Sequence, residues 1–388
     1  MGMFVCELDK PWAETPFLYE GFELGSLADV QAVIEQCNYV YIDMHRTQVI
    51  NMVLDDVRQP FANGGKSASF DKEIRAAEST REQTSNLVKS FIDEIRFGNS
   101  VDVQLGKAAV SECVASVLRN PDAMVYVSKI RNKSEFTSQH AFNVCVFSIL
   151  LGRSVGLSPK VLENLGTSGL LHDVGKISIA DGILNKSERL NAEESAILRQ
   201  HPRLGRDILM SGRNIHAGAV DVAYCHHEFL DGSGYPRGLH EVQLNLHTKI
   251  VSIVEAYDAI TSDRPYRMGC SHLDAMMILH KMVKSHKLDA NLAERFLECL
   301  GTYPPGSVVE TTNGEVAIVL ETNPTQRQRP RILVVRDGEK KPVEKLVDMA
   351  ATLRDEHGAP YKVKHVHPPG YLGIDPRHYR DAIMRAFG

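Results

Sequence analysis

Apolar residues recur at helical spacing in Leu27, Val30, Val33 and Ile34, which predicts a short amphipathic helix, and YVYIDM at 39–44 reads as a strand. With the opening FVCELDK they predict a small α/β domain over residues 1–60. The turn-prone stretch FANGGKSASF at 61–70 reads as a linker. A charged helix follows, with Leu87, Val88, Phe91, Ile92 and Ile95 on one stripe, so 61–105 is assigned as linker and connecting helix. Packing on its own domain is the simplest reading of that helix; relaying strain between domains or pairing with a second copy are the others. From about 106 to 301, segments of helical period alternate with short loops and predict an all-α domain. After YPPG at 303–306 come SVVET, EVAIVLET and RILVVRD, β-branched runs bounded by TNG and RDG turns. These predict a small antiparallel sheet over 307 to about 350, within a β-rich extension, 302–388, that ends in the helix DPRHYRDAIMRAF. The expected fold is therefore multidomain and mainly α, with small β-containing regions at both ends.

Several helical stripes carry polar residues where core residues belong. His172 continues the face of Leu162, Leu165 and Gly169, with Asp173 beside it and Lys176 one turn on. His140 leads Asn143, Val144, Phe147 and Leu151; His201 lies between Ile197 and Leu204; His226 and His227 extend the face of Ala219 and Ala223. Glu255 lies one turn after Val251 and one turn before Ala259. A lone histidine on an apolar face is ordinarily a hydrogen-bonded core residue, and Lys176 alone would be a plain salt bridge. Five histidines with two carboxylates, converging from five helices, are a different matter. Buried charge without partners costs several kcal/mol even after relaxation. Imidazole with carboxylate is a ligand set for divalent iron, manganese, zinc, nickel or cobalt. Seven groups exceed the needs of one ion, whereas two ions sharing a carboxylate, roughly 3.5 to 4 Å apart, are the arrangement that cleaves phosphate esters.

Composition narrows the setting. The chain has 388 residues, 43% of them apolar and 24% charged, as in an ordinary globular protein, and a net charge of −5 gives no general attraction to polymeric nucleic acid. Seven cysteines, scattered and without a CxxC pair, argue against a disulfide framework and for a reducing compartment. No apolar run reaches the roughly 20 residues of a membrane helix, and MGMFVCELDKPW lacks a signal-peptide core, so a cytoplasmic protein without membrane insertion is expected.

HDVGK at 172–176, HHEFLDGSGYP at 226–236 and TSDRPYR at 261–267 together resemble the HD-GYP domain, a branch of the HD-type metal phosphohydrolases, over about 106–301. The opening LDKPWAETPF is similar to an uncharacterised domain that precedes some members. The resemblance implies a two- or three-metal centre and hydrolysis of the bacterial second messenger cyclic di-GMP to pGpG, in some members on to GMP. It implies His140, His172, Asp173, His201, His226 and His227 as ligands, with Asp173 bridging. Lys176 is expected at the scissile phosphate as a catalytic residue with Asp173, Tyr235 at the substrate, and Arg264 and Arg267 at phosphate or guanine. Some members also contact diguanylate cyclase domains through the GYP loop.

Two positions depart from the family pattern. Glu255 stands where members usually carry an aspartate as last metal ligand, and the retained Asp258 lies three residues on. Phe136 stands where a glutamate supports a third metal in some members, with Glu135 about 100° away around a helix. We therefore expect two metals, iron or manganese foremost. The alternatives are a cyclic di-GMP receptor weakened at Glu255 and acting through partners, or a hydrolase of another nucleotide.

Overall fold

A computed structural model describes residues 3–10, 15, 17, 21–24, 27–43, 67–99, 102, 104–130, 136–186, 188–262 and 269–387. The chain opens with a three-stranded antiparallel sheet of order β2-β1-β3, built from β1 (Met3–Leu8), β2 (Phe22–Leu24) and β3 (Val40–Asp43). Its apolar face, Val5, Leu8 and Leu24, packs against Val33 and Cys37 at and just beyond α1 (Leu27–Gln36), with Val30 beside them as the spacing predicts, whereas Ile34, expected on the same stripe, is exposed.

The helical body begins with α2 (Phe70–Arg96), which packs along α3 (Gln104–Arg119) and α4 (Pro121–Lys129). Phe70, Ile74 and Ala77 of α2 are part of the main core, so this helix packs on the body that follows it. At the centre lies α5 (Phe136–Ser154), buried on every side from Ala141 to Gly152; such all-round apolarity belongs to a helix enclosed by others. Around it stand α6 (Pro159–Leu171), α11 (Leu246–Thr261) and α13 (Ala290–Leu300), whose Leu162, Leu165, Ile250, Tyr257 and Phe296 are fully buried. The short helices α7 (Asp181–Leu184) and α8 (Ala192–Leu198) lead to α9 (His201–Met210) and α10 (Ala217–Cys225), and α12 (His272–Lys284) closes the far side.

Two expected helical continuations are broken, and both breaks matter for the site. α6 stops at Leu171, and Val174–Ser178 forms a 3₁₀ turn, so Lys176 does not continue the face of His172. This turn packs so closely on α9 that a methyl group at Gly175 would overlap the carbonyl oxygen of His201 and the backbone of Gly205. Likewise Ile197 and His201 do not share a helix: α8 ends at Leu198 and His201 opens α9.

Past the helices, a five-stranded antiparallel sheet of order β7-β6-β5-β4-β8 comprises β4 (Val308–Thr311), β5 (Val316–Glu321), β6 (Arg331–Arg336), β7 (Pro342–Asp348) and β8 (Val363–His367). The last strand lies beyond the stretch expected from sequence. Side chains alternate along the central strands: Val316, Ile318, Leu320, Leu333 and Val335 join the helical core, while Ala317, Val319, Ile332 and Val334 cover a smaller cluster on the other face. Asp122 of α4 ties the sheet down by accepting from Thr322 N and Oγ1 at 2.8 and 3.0 Å. The chain closes with α14 (Arg380–Phe387).

Candidate metal centre

The ends of α6 and α10, the start of α9 and the side of α5 meet around one carboxylate, that of Asp173, with α11 standing behind the His140 and His227 rings. Its Oδ2 lies 3.5 Å from His140 Nε2 and 3.4 Å from His172 Nε2. Its Oδ1 lies 3.3 Å from His201 Nε2 and 3.6 Å from His226 Nε2. His227 joins the second group, so that His140, His172 and Asp173 form one set of converging ligand atoms, and Asp173, His201, His226 and His227 another. Asp173 is common to both.

What lies behind each ring sets its protonation. His172 Nδ1 donates to Gly169 O at 2.7 Å, His201 Nδ1 to Leu198 O at 2.7 Å, and His226 Nδ1 faces Val222 O and Ala223 O at 3.0 and 3.1 Å. His140 Nδ1 meets the Asp258 carboxylate at 2.7 Å. A carbonyl or carboxylate oxygen only accepts, so each Nδ1 carries the proton and each Nε2 of a neutral ring presents a lone pair. Yet His140 Nε2 and His172 Nε2 are 3.2 Å apart, and so are His201 Nε2 and His226 Nε2. Two facing lone pairs repel unless a cation lies near them. A proton on His201 is disfavoured, because burial pushes that ring down to about 3, and burial together with its neighbour His226 holds His227 well below the usual histidine range.

The carboxylate is charged and incompletely satisfied. Burial pushes the Asp173 carboxyl up, but Lys176 and His172 outweigh that and hold it well below the usual range. Lys176 Nζ donates to Oδ2, while the buried Oδ1 has no hydrogen-bond partner. An orphaned carboxylate oxygen beside two bare imidazole nitrogens fits a divalent cation on donor chemistry.

Glu255 stands off from these sets. Its carboxylate is 3.8 Å from His227 Nδ1 and does not join the converging atoms. Asp258, one turn further along α11, reaches the His140 ring instead, and Asn143 Nδ2 donates to its other oxygen at 2.8 Å. Asn143 sits on the His140 face in the sequence, but its bond to Asp258 joins positions 115 residues apart and no local pattern announces it.

Beyond His227 the chain loops over the site. Tyr235 N donates to His227 O at 3.2 Å, and the Tyr235 ring stacks on the His227 imidazole, centroids 4.7 Å apart. Glu228, almost fully buried, accepts from Arg237 N at 2.6 Å and Leu239 N at 3.0 Å and so pins the loop from inside. Gly234 passes so close to His227 and Glu228 that any side chain would overlap their backbone. Sequence reading missed Glu228, and it missed Arg199, whose exposed guanidinium lies 4.8 Å over the Tyr235 ring. Arg264, Arg267 and Glu135 lie outside the described residues, as does the Phe136 side chain.

Comparison with known proteins places this geometry. The profile described as HD domain matches residues 127–292, and a domain of unknown function (DUF3391) matches residues 1–105. A protein named cyclic di-GMP phosphodiesterase PA4108, from Pseudomonas aeruginosa, is 33% identical over 86% of this chain and 82% of its own length. A protein of Vibrio cholerae named 3'3'-cGAMP-specific phosphodiesterase 1 is 32% identical over 49% of this chain and 44% of its own. Among solved structures, Bd1817, an HDG"Y"P protein from Bdellovibrio bacteriovorus, is 17% identical, covers 76% of this chain and 92% of its own, and superposes with a TM-score of 0.46. With a third of its residues shared with PA4108 over most of both chains, and the HD match spanning every helix that meets at Asp173, the chain belongs to the HD-GYP branch of the HD-domain phosphodiesterases.

Proposed function

We propose that the chain hydrolyses cyclic di-GMP to linear pGpG at a two-cation centre. The observation that carries this reading is the division of Asp173, with one oxygen toward His140 and His172 and the other toward His201 and His226. The Oδ2 side with His140 and His172 would hold one divalent cation, and the Oδ1 side with His201, His226 and His227 the other. Glu255 is assigned to the rim of the second position, beside His227. Iron or manganese suits a set of imidazoles and carboxylates. Such a pair lowers the pKa of water toward neutrality and neutralises phosphoryl charge.

In the reaction, water adds across one phosphodiester. Its oxygen bonds to phosphorus in line with the P–O3′ bond, that bond breaks, and the 3′ oxygen leaves with a proton to give pGpG. The chain's own residues would supply orientation and charge. Lys176, a quarter exposed and anchored on Asp173, faces the reacting phosphoryl oxygens and counters the charge that builds on them. Tyr235, packed between His227 and Arg199, is assigned to holding the substrate at the edge of the site, and Arg199, Arg264 and Arg267 are assigned to the phosphates.

A second substrate has a specific observation behind it, since the Vibrio relative is named for 3'3'-cGAMP. One assay separates the readings. The full chain is purified without oxygen, loaded with iron or manganese, and given cyclic di-GMP or 3'3'-cGAMP, with products separated by chromatography and metal counted per chain. Turnover of cyclic di-GMP to pGpG with two metals is the expected result. Faster turnover of 3'3'-cGAMP would reassign the substrate, and tight binding without product would make the chain a receptor. Asp173→Ala is expected to lower metal content and cut turnover by at least about a hundredfold, since even partners behind a ligand are worth 10- to 100-fold. Retention of both would overturn the centre.

A further inference from the structure

Of the four imidazoles that flank Asp173, three are held from behind by neutral backbone carbonyls, and His140 is held by a carboxylate. Among the described residues it also lies on the poorer side of the centre, where two imidazoles converge with Asp173 against three on the other side. We infer that Asp258 is a positioning residue for His140 and sets the affinity of the Oδ2-side cation position alone. The inference rests on the two-cation reading.

A carboxylate that accepts Nδ1–H fixes the tautomer with Nε2 bare, aims the ring, and raises the basicity of Nε2 more than a carbonyl does. On the side with fewer ligands this added donor strength and negative charge offset the missing third imidazole. Asp258 is 2% exposed, and a charge so buried persists only with donors around it. Burial pushes its carboxyl up, but the His140 and Asn143 bonds and the Lys129 charge outweigh that and keep it below the usual range.

The neighbours fix the direction of every bond. Gln139 Oε1 accepts from Arg81 at 2.7 Å, so Gln139 Nε2 is a donor, to Ser128 O and to Asn143 Oδ1, both at 3.1 Å. Asn143 must then turn its amide nitrogen to Asp258 Oδ1. Asp258 is thereby required to accept from Asn143 on Oδ1, and as a carboxylate it accepts from His140 on Oδ2. An amide at 258 cannot do so. It would set donor against donor at Asn143, or donate to His140 Nδ1 and move the ring proton to Nε2, where it blocks the ligand lone pair.

Asp258→Asn is therefore diagnostic. The full-length wild type, Asp258→Asn and Asn143→Ala are stripped of metal, checked for folding by circular dichroism, and titrated with Mn(II) while electron paramagnetic resonance is recorded. The wild type is expected to bind two ions and show an exchange-coupled pair. Asp258→Asn should keep one ion at wild-type affinity, bind the second about 10- to 100-fold more weakly, and show the six-line spectrum of isolated Mn(II). Asn143→Ala, which frees the Asp258 carboxylate to rotate, should weaken the same position to a lesser degree. Unchanged binding of both ions, or equal weakening of both, overturns the assignment, because a merely structural role spares or harms the two positions alike. If Asp258→Asn does not fold, an unchanged second affinity in Asn143→Ala overturns it. A wild type that binds one ion sinks the two-cation reading itself, and this inference with it.

Discussion

At the scale of single residues, histidine has two separate uses in this fold. The rings around Asp173 converge on a shared oxygen, whereas His272 is a buried core residue, accepting from Tyr257 Oη at 3.0 Å through Nδ1 and donating to Gly301 O at 3.1 Å through Nε2. Burial, then the charge of Lys129, pushes His272 down to about 4, and burial with His216 does the same to His247. In the unfolded chain each titrates near 6.5. Between pH 6.5 and about 4 the unfolded chain therefore binds more protons than the folded one, so stability is full above that window and falls as pH drops through it. Urea unfolding of the metal-free protein at pH 7 and pH 4.5 should show this loss, and His272→Gln should make it shallower. Equal pH dependence of variant and wild type would remove His272 as a contributor. Sequence pattern set the site histidines on apolar faces and gave no reading of His272; what distinguishes the two uses is which oxygen stands opposite each nitrogen, and that depends on chain segments far apart.

At the scale of elements, α2 shows where periodicity is informative and where it is not. Its second half carries the apolar stripe read from Leu87 to Ile95. Its first half buries a glutamate: Glu73, 3% exposed, takes two bonds from Arg119 at 2.7 and 2.9 Å and one from Ser116 at 2.7 Å. A charged residue marks a solvent face by default, and the pairing with α3 reverses that at Glu73. Arg119 is more than a third exposed, so its charge is partly solvated, and Glu73→Ala is expected to cost about 2 kcal/mol by urea unfolding, mostly from the lost bonds and the stranded Ser116. A cost under about 0.5 kcal/mol would show that α2 is held by its apolar stripe alone. The end of α6 is the opposite case. Nothing in the local pattern halts a helix at Leu171, but the close packing of Gly175 on α9 requires a tight turn, and the turn delivers Asp173 between both histidine pairs.

At the scale of the molecule, the C-terminal sheet is structurally part of the helical body. Ile318, Leu320, Leu333 and Val335 are fully or almost fully buried against that body, and Asp122 binds Thr322 across the boundary. A chain ending at residue 306 exposes that apolar face and leaves the Asp122 carboxylate without those bonds, so it should aggregate or melt at clearly lower temperature than the full chain. A soluble fragment with unchanged melting temperature would show the sheet to be an appendage. At the other end, the N-terminal sheet meets the loop beyond Tyr235 through Arg237, which bonds Glu7 Oε2 at 2.8 Å and lies 5.2 Å over the Tyr41 ring. No helix among the described residues is long and apolar enough to cross a membrane.

The sequence alone determined the helical body, the sheets at either end, and the residue types of the site, because periodicity and the HD and GYP motifs are local properties of the chain. It placed His140, His172, His201, His226 and His227 on inward faces, and the structure brings all five together with Asp173. Only the tertiary structure decided how they divide. The pairing of histidines on either side of Asp173, the Asp258 carboxylate behind His140, the distance of Glu255 from the converging atoms and the pinning of the GYP loop by Glu228 all depend on contacts between distant segments. Such contacts are set by how helices pack, and helical periodicity specifies which face is buried but not what lies opposite it.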